Sequence, residues 1–544
     1  MTPYDRLYRD FAWNLPARFN IASACADVWA AHEPQRIALI ADRGAAAPDT
    51  LTFGELSQGS KRLAAAFAAK GIRRGDRVAI VLPQNFEAAI AHLAVYRLGA
   101  IAVPLALRFG PDALGFRLEA SGAKLAVIDA SGLDTFGRVR EALPALETVV
   151  AVGAERPDFL DFDALLRGPH DPVPDAETTP DDPAMIIFTS GTTGAPKGAL
   201  HGHRVLLGHL PCMQFAHEGF PLPGDRLWTP SDWAWAGGLL NALLPSLYFG
   251  VPVVFSAARF DAGEAFALMA RHRVRNAFLP ATALRMMKAA ATREAVAALS
   301  LRTIGSAGET LPRATGLWAK ETLGLTVNEF YGQTECNMVL GSSAALGVSR
   351  PGAIGKAVPG HAVAIVDPGG TPVPAGRTGT IAVRAPDPVM FLGYWQNPQA
   401  TSEKFAGAWL LTGDEGVMDA EGYVAFIGRE DDIITSAGYR IGPGEVEDCL
   451  LSHPAVTLAA VVGKPDPLRT EIVKAYVVLA KGCAPSGALA LEIQRYVRER
   501  LSAHEYPREV AFVADLPLTT SGKIVRRALR ERAEREIAEP AAAE

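Results

Sequence analysis

The sequence predicts an α/β protein with a large N-terminal domain of helix-covered, mostly parallel sheets, a small β-barrel-like unit and a small α+β C-terminal domain. Three observations support this class. The chain has 544 residues, and a chain of this length usually folds into more than one domain, each with its own hydrophobic core. Apolar strand-like runs alternate with helical patterns from about residue 50 to 350. Short strands between Pro/Gly turns follow, and a second alternation begins after residue 430.

The first alternation predicts the large domain. Its strand-like runs include RVAIVL, KLAVID, AMIIFT, VPVVF and NAFLP, and its helical patterns include LSQGSKRLAAAFAAKG and FEAAIAHLAVYRLG. Nearly continuous apolar runs are typical of strands that are buried on both faces. They therefore favour parallel sheets that are covered by helices.

The change of pattern near residue 350 predicts where the units divide. Residues 350–430 contain runs such as PGGTPVPAGRTGTIAVRAPD, which favour a small antiparallel β unit that completes a domain of residues 1–430. Residues 431–544 alternate GPGEVEDCLLSHP, VTLAAVVG, VKAYVVLA and ALALEIQRYVRERL, which predicts a compact α+β unit. The charged tail that follows is predicted to be a solvated helix.

Composition and charge exclude several classes of protein. The net charge of -6 gives no reason to expect a nucleic acid partner. Residues 233–258 carry no charge, but two prolines, several glycines and a β-branched run favour a buried helix, a turn and a strand over a membrane span. The five cysteines are widely separated and the N-terminus lacks a signal pattern, so we expect free thiols and a cytoplasmic protein.

A ten-residue loop follows the apolar run AMIIF. It reads Thr189, Ser190, Gly191, Thr192, Thr193, Gly194, Ala195, Pro196, Lys197, Gly198. The glycines let backbone N–H groups converge on an anion, the hydroxyls add donors, and Lys197 adds a positive charge suited to phosphate. The position of the lysine does not fit a Walker A loop. We therefore predict a phosphate loop of another type.

Other motifs in the same chain give this loop a context. The chain resembles the adenylate-forming superfamily of acyl-CoA synthetases, adenylation domains and luciferases, whose signature loop is similar to TSGTTGAPKG. Matching segments follow in the family's order: GSAGE at 305–309, NEFYGQTE at 328–335, TGD at 412–414, GREDDIITSAGYRIGPGEVE from 428, and PLTTSGK ending at 523. The resemblance covers nearly the whole chain and is closest to the medium-chain acyl-CoA synthetases.

The resemblance implies an ATP site and assigns its residues. Those implied to bind ATP are Thr189, Ser190, Gly191, Thr192, Thr193, Gly194, Lys197, Gly308, Glu309, Glu329, Phe330, Tyr331, Gly332, Gln333, Thr334, Asp414, Arg429 and Lys523. Asp414 and Arg429 would support the ribose, because a carboxylate accepts hydrogen bonds from both hydroxyls. Glu335, with Thr334 beside it, would be catalytic and would hold Mg²⁺, a hard cation that prefers carboxylate oxygen.

The resemblance also assigns roles in the C-terminal unit. It implies that Asp431 is the hinge about which this unit moves between two catalytic arrangements. Residues implied to bind coenzyme A are Ser436, Gly438, Tyr439, Arg440 and Arg469. Lys523 is implied to be the catalytic lysine, carried into the site by a Ser-Gly-Lys turn.

The acid itself is predicted only as a class. Acetyl-CoA synthetases of this family carry tryptophan where this chain has Gly332, so we expect an acyl pocket open to medium-chain, branched or aromatic acids. Trp235 could supply a wall of that pocket, and an equally good interpretation of Trp233 and Trp235 is two core tryptophans. The sequence does not rank hexanoate against benzoate.

The predicted function is therefore an AMP-forming acyl-CoA ligase that uses ATP, Mg²⁺ and coenzyme A. The leading alternative is a stand-alone enzyme that loads a carrier-protein thiol, and the second is a non-enzymatic nucleotide-binding protein. The segment before Lys523 also resembles the site at which a lysine acetyltransferase switches off bacterial acyl-CoA synthetases. Whether the chain forms a homo-oligomer is left open.

Overall fold

The computed structural model describes residues 2–44, 46–189, 196–429, 432–436, 439–466, 469–501, 506–519 and 523–538. Its strands are β1 Ile37–Ala41, β2 Asp49–Thr52, β3 Arg77–Val81, β4 Ile101–Pro104, β5 Leu125–Asp129, β6 Thr148–Val152, β7 Leu160–Asp161, β8 Pro183–Phe188, β9 Gly198–Gly202, β10 Leu227–Trp228, β11 Val253–Phe255, β12 Asn276–Phe278, β13 Thr303–Ser306, β14 Val327–Gln333, β15 Cys336–Gly341, β16 Lys356–Ala357, β17 Val363–Val366, β18 Thr378–Arg384, β19 Gly393–Tyr394, β20 Phe405–Ala406, β21 Trp409–Met418, β22 Val424–Arg429, β23 Ile434–Ser436, β24 Tyr439–Ile441, β25 Val456–Asp466, β26 Thr470–Leu479 and β27 Glu509–Phe512.

The helices lie between these strands. They are α1 Pro3–Asp10, α2 Val28–His32, α3 Phe53–Ala69, α4 Phe86–Arg97, α5 Pro111–Ser121, α6 Leu133–Gly137, α7 Phe162–Arg167, α8 Arg204–Ala216, α9 Ala236–Gly238, α10 Leu244–Tyr248, α11 Ala262–Arg271, α12 Ala281–Ala290, α13 Arg293–Ala297, α14 Arg313–Trp318, α15 Pro398–Glu403, α16 Pro443–Leu451, α17 Gly487–Arg500 and α18 Arg526–Ala538. Short π-helical turns cover Ser23–Asp27, Leu239–Leu243 and Ala319–Leu323.

Two helix-covered sheets form the large N-terminal unit. The first has the strand order β19-β9-β8-β4-β3-β5-β6-β7 and is parallel from β8 to β7. The second has the order β16-β15-β14-β13-β12-β10-β11-β1-β2 and is parallel from β14 to β1. Helices α3 and α4 pack between them with fully buried residues such as Phe53, Leu63 and Leu93, so the two sheets share one core.

Local sequence explains where these helices begin. Thr52 caps α3 in a capping box, in which its side chain accepts from Glu55 N and Glu55 accepts from Thr52 N at 2.8 Å. Asn85 caps α4 through a 2.7 Å hydrogen bond from Ala88 N. Thr52 is the last residue of β2 and Asn85 follows β3, so each helix begins close to the end of a strand.

A five-stranded antiparallel sheet follows in the chain. Its order is β17-β18-β21-β20, with β22 paired to β21. In the β21–β22 pair Asp414 lies opposite Arg429. This register brings two of the predicted site residues together.

The C-terminal unit is a sheet of order β24-β23-β26-β25, with β27 added in parallel to β26 and helices α16, α17 and α18 around it. Partly buried ion pairs and the core residues Leu529 and Ala533 hold α18 in place, so the prediction that this charged tail is a solvated helix was wrong. Arg526 Nη2 lies 2.6 Å from Glu447 Oε2 on α16, and Arg530 Nη1 lies 2.7 Å from Asp432 Oδ1. Because α18 begins three residues after Lys523, these pairs fix the chain that carries the lysine.

These elements confirm the predicted fold class. Residues 233–258 form α9, a π-helical turn, α10 and β11, as the sequence predicted. Among the described residues, none of the helices has the length and apolar character needed to cross a membrane. The predicted division between residues 430 and 431 stays a prediction, because both residues lie outside the described part.

Candidate active site

A cleft of about 2390 Å³ lies where the two large sheets, the antiparallel sheet and the C-terminal unit meet. It brings together residues from most of the predicted motifs. The predicted site residues that line it are Thr189, Lys197, Gly308, Glu309, Glu329, Phe330, Tyr331, Gly332, Gln333, Thr334, Glu335, Asp414, Arg429 and Lys523. Residues that are far apart in sequence thus share one cavity.

The predicted phosphate loop leaves the end of β8 and returns as β9. Thr189 N donates to Lys197 O at 2.8 Å, so the two ends of the loop meet. Strands β8 and β9 then pair in antiparallel register, with Phe188 opposite Gly198. Residues 190–195 lie outside the described residues, and the predictions for Ser190 to Gly194 stay predictions.

The carboxylate of Asp414 is held by two neighbours. The Tyr331 hydroxyl donates to Asp414 Oδ2 at 2.5 Å, and Arg429 Nη1 lies 3.6 Å from Asp414 Oδ1. Burial raises the pKa of Asp414, while the Arg429 charge and the Tyr331 hydrogen bond act in the opposite direction. The predicted ribose carboxylate therefore has a fixed orientation towards the cleft.

The side chain of Gln333 is held by hydrogen bonds to Lys404 and to the backbone of Thr412. Lys404 Nζ donates to Gln333 Oε1 at 3.0 Å and to Thr412 O at 3.2 Å. Gln333 Nε2 donates to the same Thr412 carbonyl at 2.9 Å. The end of β14 and the turn before Asp414 are thereby joined.

Glu335 follows β14 and is buried at the wall of the cleft. Its Oε1 accepts a hydrogen bond from the Tyr394 hydroxyl. Within the described part of the chain, Oε2 has no hydrogen-bond partner. A carboxylate with one oxygen fixed and one open suits a divalent cation, because Mg²⁺ is usually held by one or two carboxylates together with substrate phosphates.

Lys523 belongs to the C-terminal unit and lines the same cleft. Thr519 N donates to Lys523 O at 2.7 Å, and Lys523 N donates to Thr519 Oγ1 at 3.0 Å. The side chain retains solvent-accessible surface, yet the protein atoms crowded around it lower the pKa of its ammonium group. The charges of Glu309 and Asp414 raise this pKa and the charge of Arg429 lowers it, and all three residues line the same cleft as Lys523.

Glu329 and Glu309 give the same part of the cleft an acidic character. Burial raises the pKa of Glu329 to about 7, the backbone N–H of Leu311 lowers it, and the charge of Asp448 on the C-terminal unit raises it further. Glu309 Oε2 accepts from Thr282 Oγ1 at 2.7 Å. Of these two carboxylates, Glu309 is the one whose charge acts on Lys523.

Gly332 is required by close packing. A Cβ atom at this position would lie 2.4 Å from Met338 N and 2.5 Å from Asn337 Cα, both on the backbone of β15. On this backbone a tryptophan at position 332 would not fit. The absence of a side chain therefore has a structural cause, and the acyl-pocket role of Gly332 stays a prediction.

Trp235 and Trp233 lie away from the cleft lining. Trp235 packs edge-on against Phe109, with ring centroids 5.8 Å apart, and is not among the described residues that line the cleft. Trp233 is fully buried and packs against Phe255. This position favours the interpretation of two packing tryptophans.

The predicted coenzyme A residues are only partly described. Asp431 and Gly438 lie outside the described residues, as do the side chains of Tyr439 and Arg440. Ser436 is buried and pairs with Thr470, the residue after Arg469, in the β23–β26 register. Neither Ser436 nor Arg469 is among the described residues that line the cleft in this arrangement of the units.

Sequence reasoning missed Tyr394 and Lys404. Tyr394 occurs in the run GYWQNP, and Lys404 follows α15, where an exposed lysine is expected. The only available signal was a tyrosine between a glycine and a tryptophan in a turn-rich stretch. Both residues reach the site by tertiary contacts that sequence spacing does not reveal.

Known proteins share this arrangement over nearly the whole chain. A family model described as AMP-binding enzyme matches residues 26–395, and one described as AMP-binding enzyme C-terminal domain matches residues 445–523. The mitochondrial acyl-coenzyme A synthetase ACSM2 of Rattus norvegicus is 36% identical over 95% of this chain and 92% of its own length. Acetyl-coenzyme A synthetase of Bacillus subtilis is 32% identical over 97% of this chain and 94% of its own.

Solved structures give the same result. The crystal structure of Brucella canis acyl-CoA synthetase is 35% identical, with a TM-score of 0.75 over 99% of this chain and all of that chain. The anthranilate CoA ligase AuaEII in complex with anthranoyl-AMP is 28% identical, with a TM-score of 0.88 over 96% of this chain and 99% of that chain. The fold and cleft define an adenylate-forming enzyme. The chain belongs to the AMP-binding enzyme family, in which it is an AMP-forming acyl-CoA synthetase that uses ATP and coenzyme A.

Proposed function

We propose that this synthetase activates a medium-chain, branched or aromatic carboxylic acid, and that Lys523 serves the first of its two half-reactions. The observation that carries the mechanism is the position of Lys523, which faces Glu309, Asp414 and Arg429 in the cleft that Lys197 also lines. A lysine placed there can reach the phosphates of a nucleotide whose ribose lies at Asp414.

In the first half-reaction a carboxylate oxygen of the acid attacks the α-phosphorus of ATP. The bond from that phosphorus to the bridging oxygen of the β-phosphate breaks, and pyrophosphate leaves with the electron pair. Negative charge builds on the phosphoryl oxygens, so cations fixed nearby stabilise the transition state. Lys197 and Lys523 are the cations that we assign to this task.

Mg²⁺ would be held by Glu335 together with ATP phosphates. The cation would neutralise phosphate charge in that position. The open Oε2 atom of Glu335 supports this role, since the other oxygen is already fixed by Tyr394. Tyr331 and Arg429 keep Asp414 ready to accept hydrogen bonds from the ribose hydroxyls.

In the second half-reaction the thiolate sulfur of coenzyme A attacks the acyl carbonyl, and AMP leaves as the thioester forms. Charge now develops at the acyl carbonyl, away from the pyrophosphate site. We propose that the C-terminal unit turns about Asp431 between the two steps, which removes Lys523 and brings Ser436, Arg440 and Arg469 towards coenzyme A. The position of Ser436 and Arg469 away from the cleft lining here supports an exchange of arrangements.

The acid class rests on the resemblance to medium-chain acyl-CoA synthetases and on relatives. Each extra buried methylene contributes roughly 0.8 kcal/mol, so a pocket that admits the distal carbons would favour the longer acid. An anthranilate CoA ligase and a benzoate CoA ligase from Burkholderia xenovorans are among the similar solved structures, at 28% identity each. These support an aromatic or similarly large acid, whereas the similarity to an acetyl-coenzyme A synthetase keeps short acids as the competing outcome.

The test is a panel of acids with purified enzyme, ATP, Mg²⁺ and coenzyme A. Acetate, butyrate, hexanoate, octanoate, isobutyrate and benzoate would be compared by pyrophosphate release and by mass spectrometry of the thioester. We expect the highest kcat/KM with hexanoate, octanoate, isobutyrate or benzoate. A maximum at acetate would refute the acid class and leave the synthetase activity intact.

Two further proposals rest on resemblance alone. Loading of a carrier-protein thiol is the alternative to coenzyme A, and a pantetheine-bearing carrier added to the same panel would reveal it. Acetylation of Lys523 by a lysine acetyltransferase would remove the charge that the first step needs. Mass spectrometry of the treated enzyme would detect that modification.

A further inference from the structure

One short segment connects the two large sheets at the cleft. Strand β19 pairs with β9 of the first sheet, and Trp395 N donates to Gly198 O at 2.7 Å, directly after the phosphate loop. At the other end of the segment, Phe391 N donates to Glu335 O at 2.8 Å, at the turn between β14 and β15 of the second sheet. Residues 391–395 therefore touch the backbone of both predicted ATP motifs.

Tyr394 is the fourth residue of this segment and contacts a side chain from each motif. Its hydroxyl donates a hydrogen bond to Glu335 Oε1. The face of its ring lies 5.2 Å from Lys197 Nζ, within the range of a cation–π contact. Tyr394 is 7% exposed, so both contacts are shielded from solvent. Its hydroxyl is the donor in the bond to Glu335, because an ionised carboxylate only accepts.

We propose that Tyr394 is a positioning residue that orients the metal-binding carboxylate of Glu335 and holds Lys197 of the phosphate loop at a fixed distance from it. The inference rests on the proposed roles of Glu335 and Lys197 and extends them to a residue with no assigned task. Tyr394 itself would touch neither the acid nor the nucleotide.

The hydrogen bond decides which oxygen of Glu335 is available. With Oε1 accepting from Tyr394, the carboxylate cannot rotate freely, and Oε2 is the oxygen left for a cation. Residues that fix a metal ligand in this way commonly set metal affinity, and their loss costs about 10–100-fold. Without the hydroxyl, Glu335 would have to be ordered each time the cation binds.

Tyr394 is itself held firmly. Its backbone N–H donates to Thr401 Oγ1 at 2.9 Å, and its ring packs edge-on against Phe391 at 5.0 Å. A residue fixed on both sides can impose an orientation on its partners. Tyr394→Phe keeps the ring and these contacts, so only the donated hydrogen bond is removed.

The experiment measures metal binding directly, without catalysis. Mn²⁺ would replace Mg²⁺, and free Mn²⁺ would be followed by electron paramagnetic resonance in the presence of a non-hydrolysable ATP analogue. We expect the Mn²⁺ affinity of Tyr394→Phe to fall by about 10–100-fold, while its affinity for the metal-free nucleotide is unchanged. The second half-reaction, started from supplied acyl-AMP and coenzyme A, should keep its rate.

Tyr4→Phe is the matched control, because the Tyr4 hydroxyl also donates to a fixed acceptor, Ala357 O at 2.8 Å, far from Glu335 in sequence and outside the cleft lining. It should leave Mn²⁺ affinity unchanged. Equal Mn²⁺ affinity in Tyr394→Phe and wild type would overturn the inference. So would an equal loss of metal-free nucleotide binding, since that result indicates general damage to the site.

A double-mutant cycle separates this inference from the proposed function. If Tyr394 acts through Glu335, the Tyr394→Phe/Glu335→Gln enzyme should bind Mn²⁺ no more weakly than Glu335→Gln alone. Additive losses would overturn the inference and leave the metal role of Glu335 standing. Unchanged Mn²⁺ affinity in Glu335→Gln would overturn the metal role itself, and the inference with it.

Discussion

The hydroxyl of Tyr331 on β14 donates a 2.5 Å hydrogen bond to Asp414 Oδ2 on β21, which joins the second large sheet to the antiparallel sheet. The two residues belong to motifs that lie 83 positions apart in the chain. Asp414 is buried, and a carboxylate in such a place keeps its orientation only through partners. The bond therefore links the nucleotide wall of the cleft to the predicted ribose site.

Tyr331→Phe removes that hydrogen bond and retains the ring. Hydrogen bonds to charged groups contribute about 1.5–3 kcal/mol, so we expect the KM for ATP to rise about tenfold or more. The KM values for the acid and coenzyme A should stay within about twofold, because they do not depend on the ribose carboxylate. Tyr8→Phe, which removes a 2.9 Å bond to His361 O, is the control. An unchanged KM for ATP would show that nucleotide binding does not depend on the hydrogen bond from Tyr331 to Asp414.

Gly332→Ala tests the packing at the end of β14. The added Cβ would lie 2.4 Å from Met338 N, so the backbone of β15 must move, together with the turn that carries Glu335. Overpacking of this kind costs about 1–3 kcal/mol. We expect kcat/KM to fall on every acid alike and the melting temperature to fall.

The control for that change is Gly137→Ala, where a Cβ meets nothing within 4 Å. Gly137→Ala should leave both kcat/KM and the melting temperature unaffected. If Gly332→Ala instead altered only the preference among acids, position 332 would face the acyl pocket and the packing argument would be wrong. The same geometry makes Gly332→Trp an unsuitable probe of chain length.

Glu329 makes stability depend on pH in a calculable direction. Burial raises its pKa from 4.5 to about 7, so between these values the folded chain keeps a proton that the unfolded chain has released. The free energy of unfolding therefore falls as the pH rises from about 4.5 to 7 and stays low above it. Glu329→Gln removes this loss and can still accept the 3.3 Å bond from Leu311 N.

We expect Glu329→Gln to melt roughly 2 °C or more above wild type at pH 8 and close to wild type at pH 5. Scanning calorimetry at the two pH values would measure the difference. Glu321→Gln, which removes an exposed acid, is the control. Its melting temperature should differ from that of wild type by the same small amount at both pH values. If the melting temperatures of Glu329→Gln and wild type differed by the same amount at pH 5 and pH 8, the raised pKa of Glu329 would be refuted.

Much of the fold could be predicted because its signals are local. Runs such as RVAIV and KLAVID are apolar throughout, and the structure makes them the central parallel strands β3 and β5. The resemblance to the family assigned the ATP residues, and those that the structure describes lie in one cleft. For these elements, local pattern and tertiary structure agree.

The features that could not be predicted depend on where side chains point in the folded chain, which the spacing of residues in the sequence does not specify. The sequence shows that position 332 has no side chain. It does not show that a Cβ atom there would point into the backbone of β15. Trp235 follows the expected motif, yet it packs against Phe109. Tyr394 joins Glu335 and Lys197 across 59 and 197 positions of sequence, and no local pattern indicates such a contact.

The most direct test of the mechanism is the single-turnover rate of each half-reaction in Lys523→Ala. Lys523 lines the cleft together with Glu309 and Asp414, where the proposed mechanism has charge build up during adenylation. Loss of one preorganised electrostatic group commonly costs about 10²–10³ in rate, so acyl-AMP formation should slow by at least that much. Thioester formation from supplied acyl-AMP and coenzyme A should keep nearly the wild-type rate, and Lys481→Ala, at an exposed lysine of the same unit, should affect neither step. Equal losses in both half-reactions of Lys523→Ala would contradict the account.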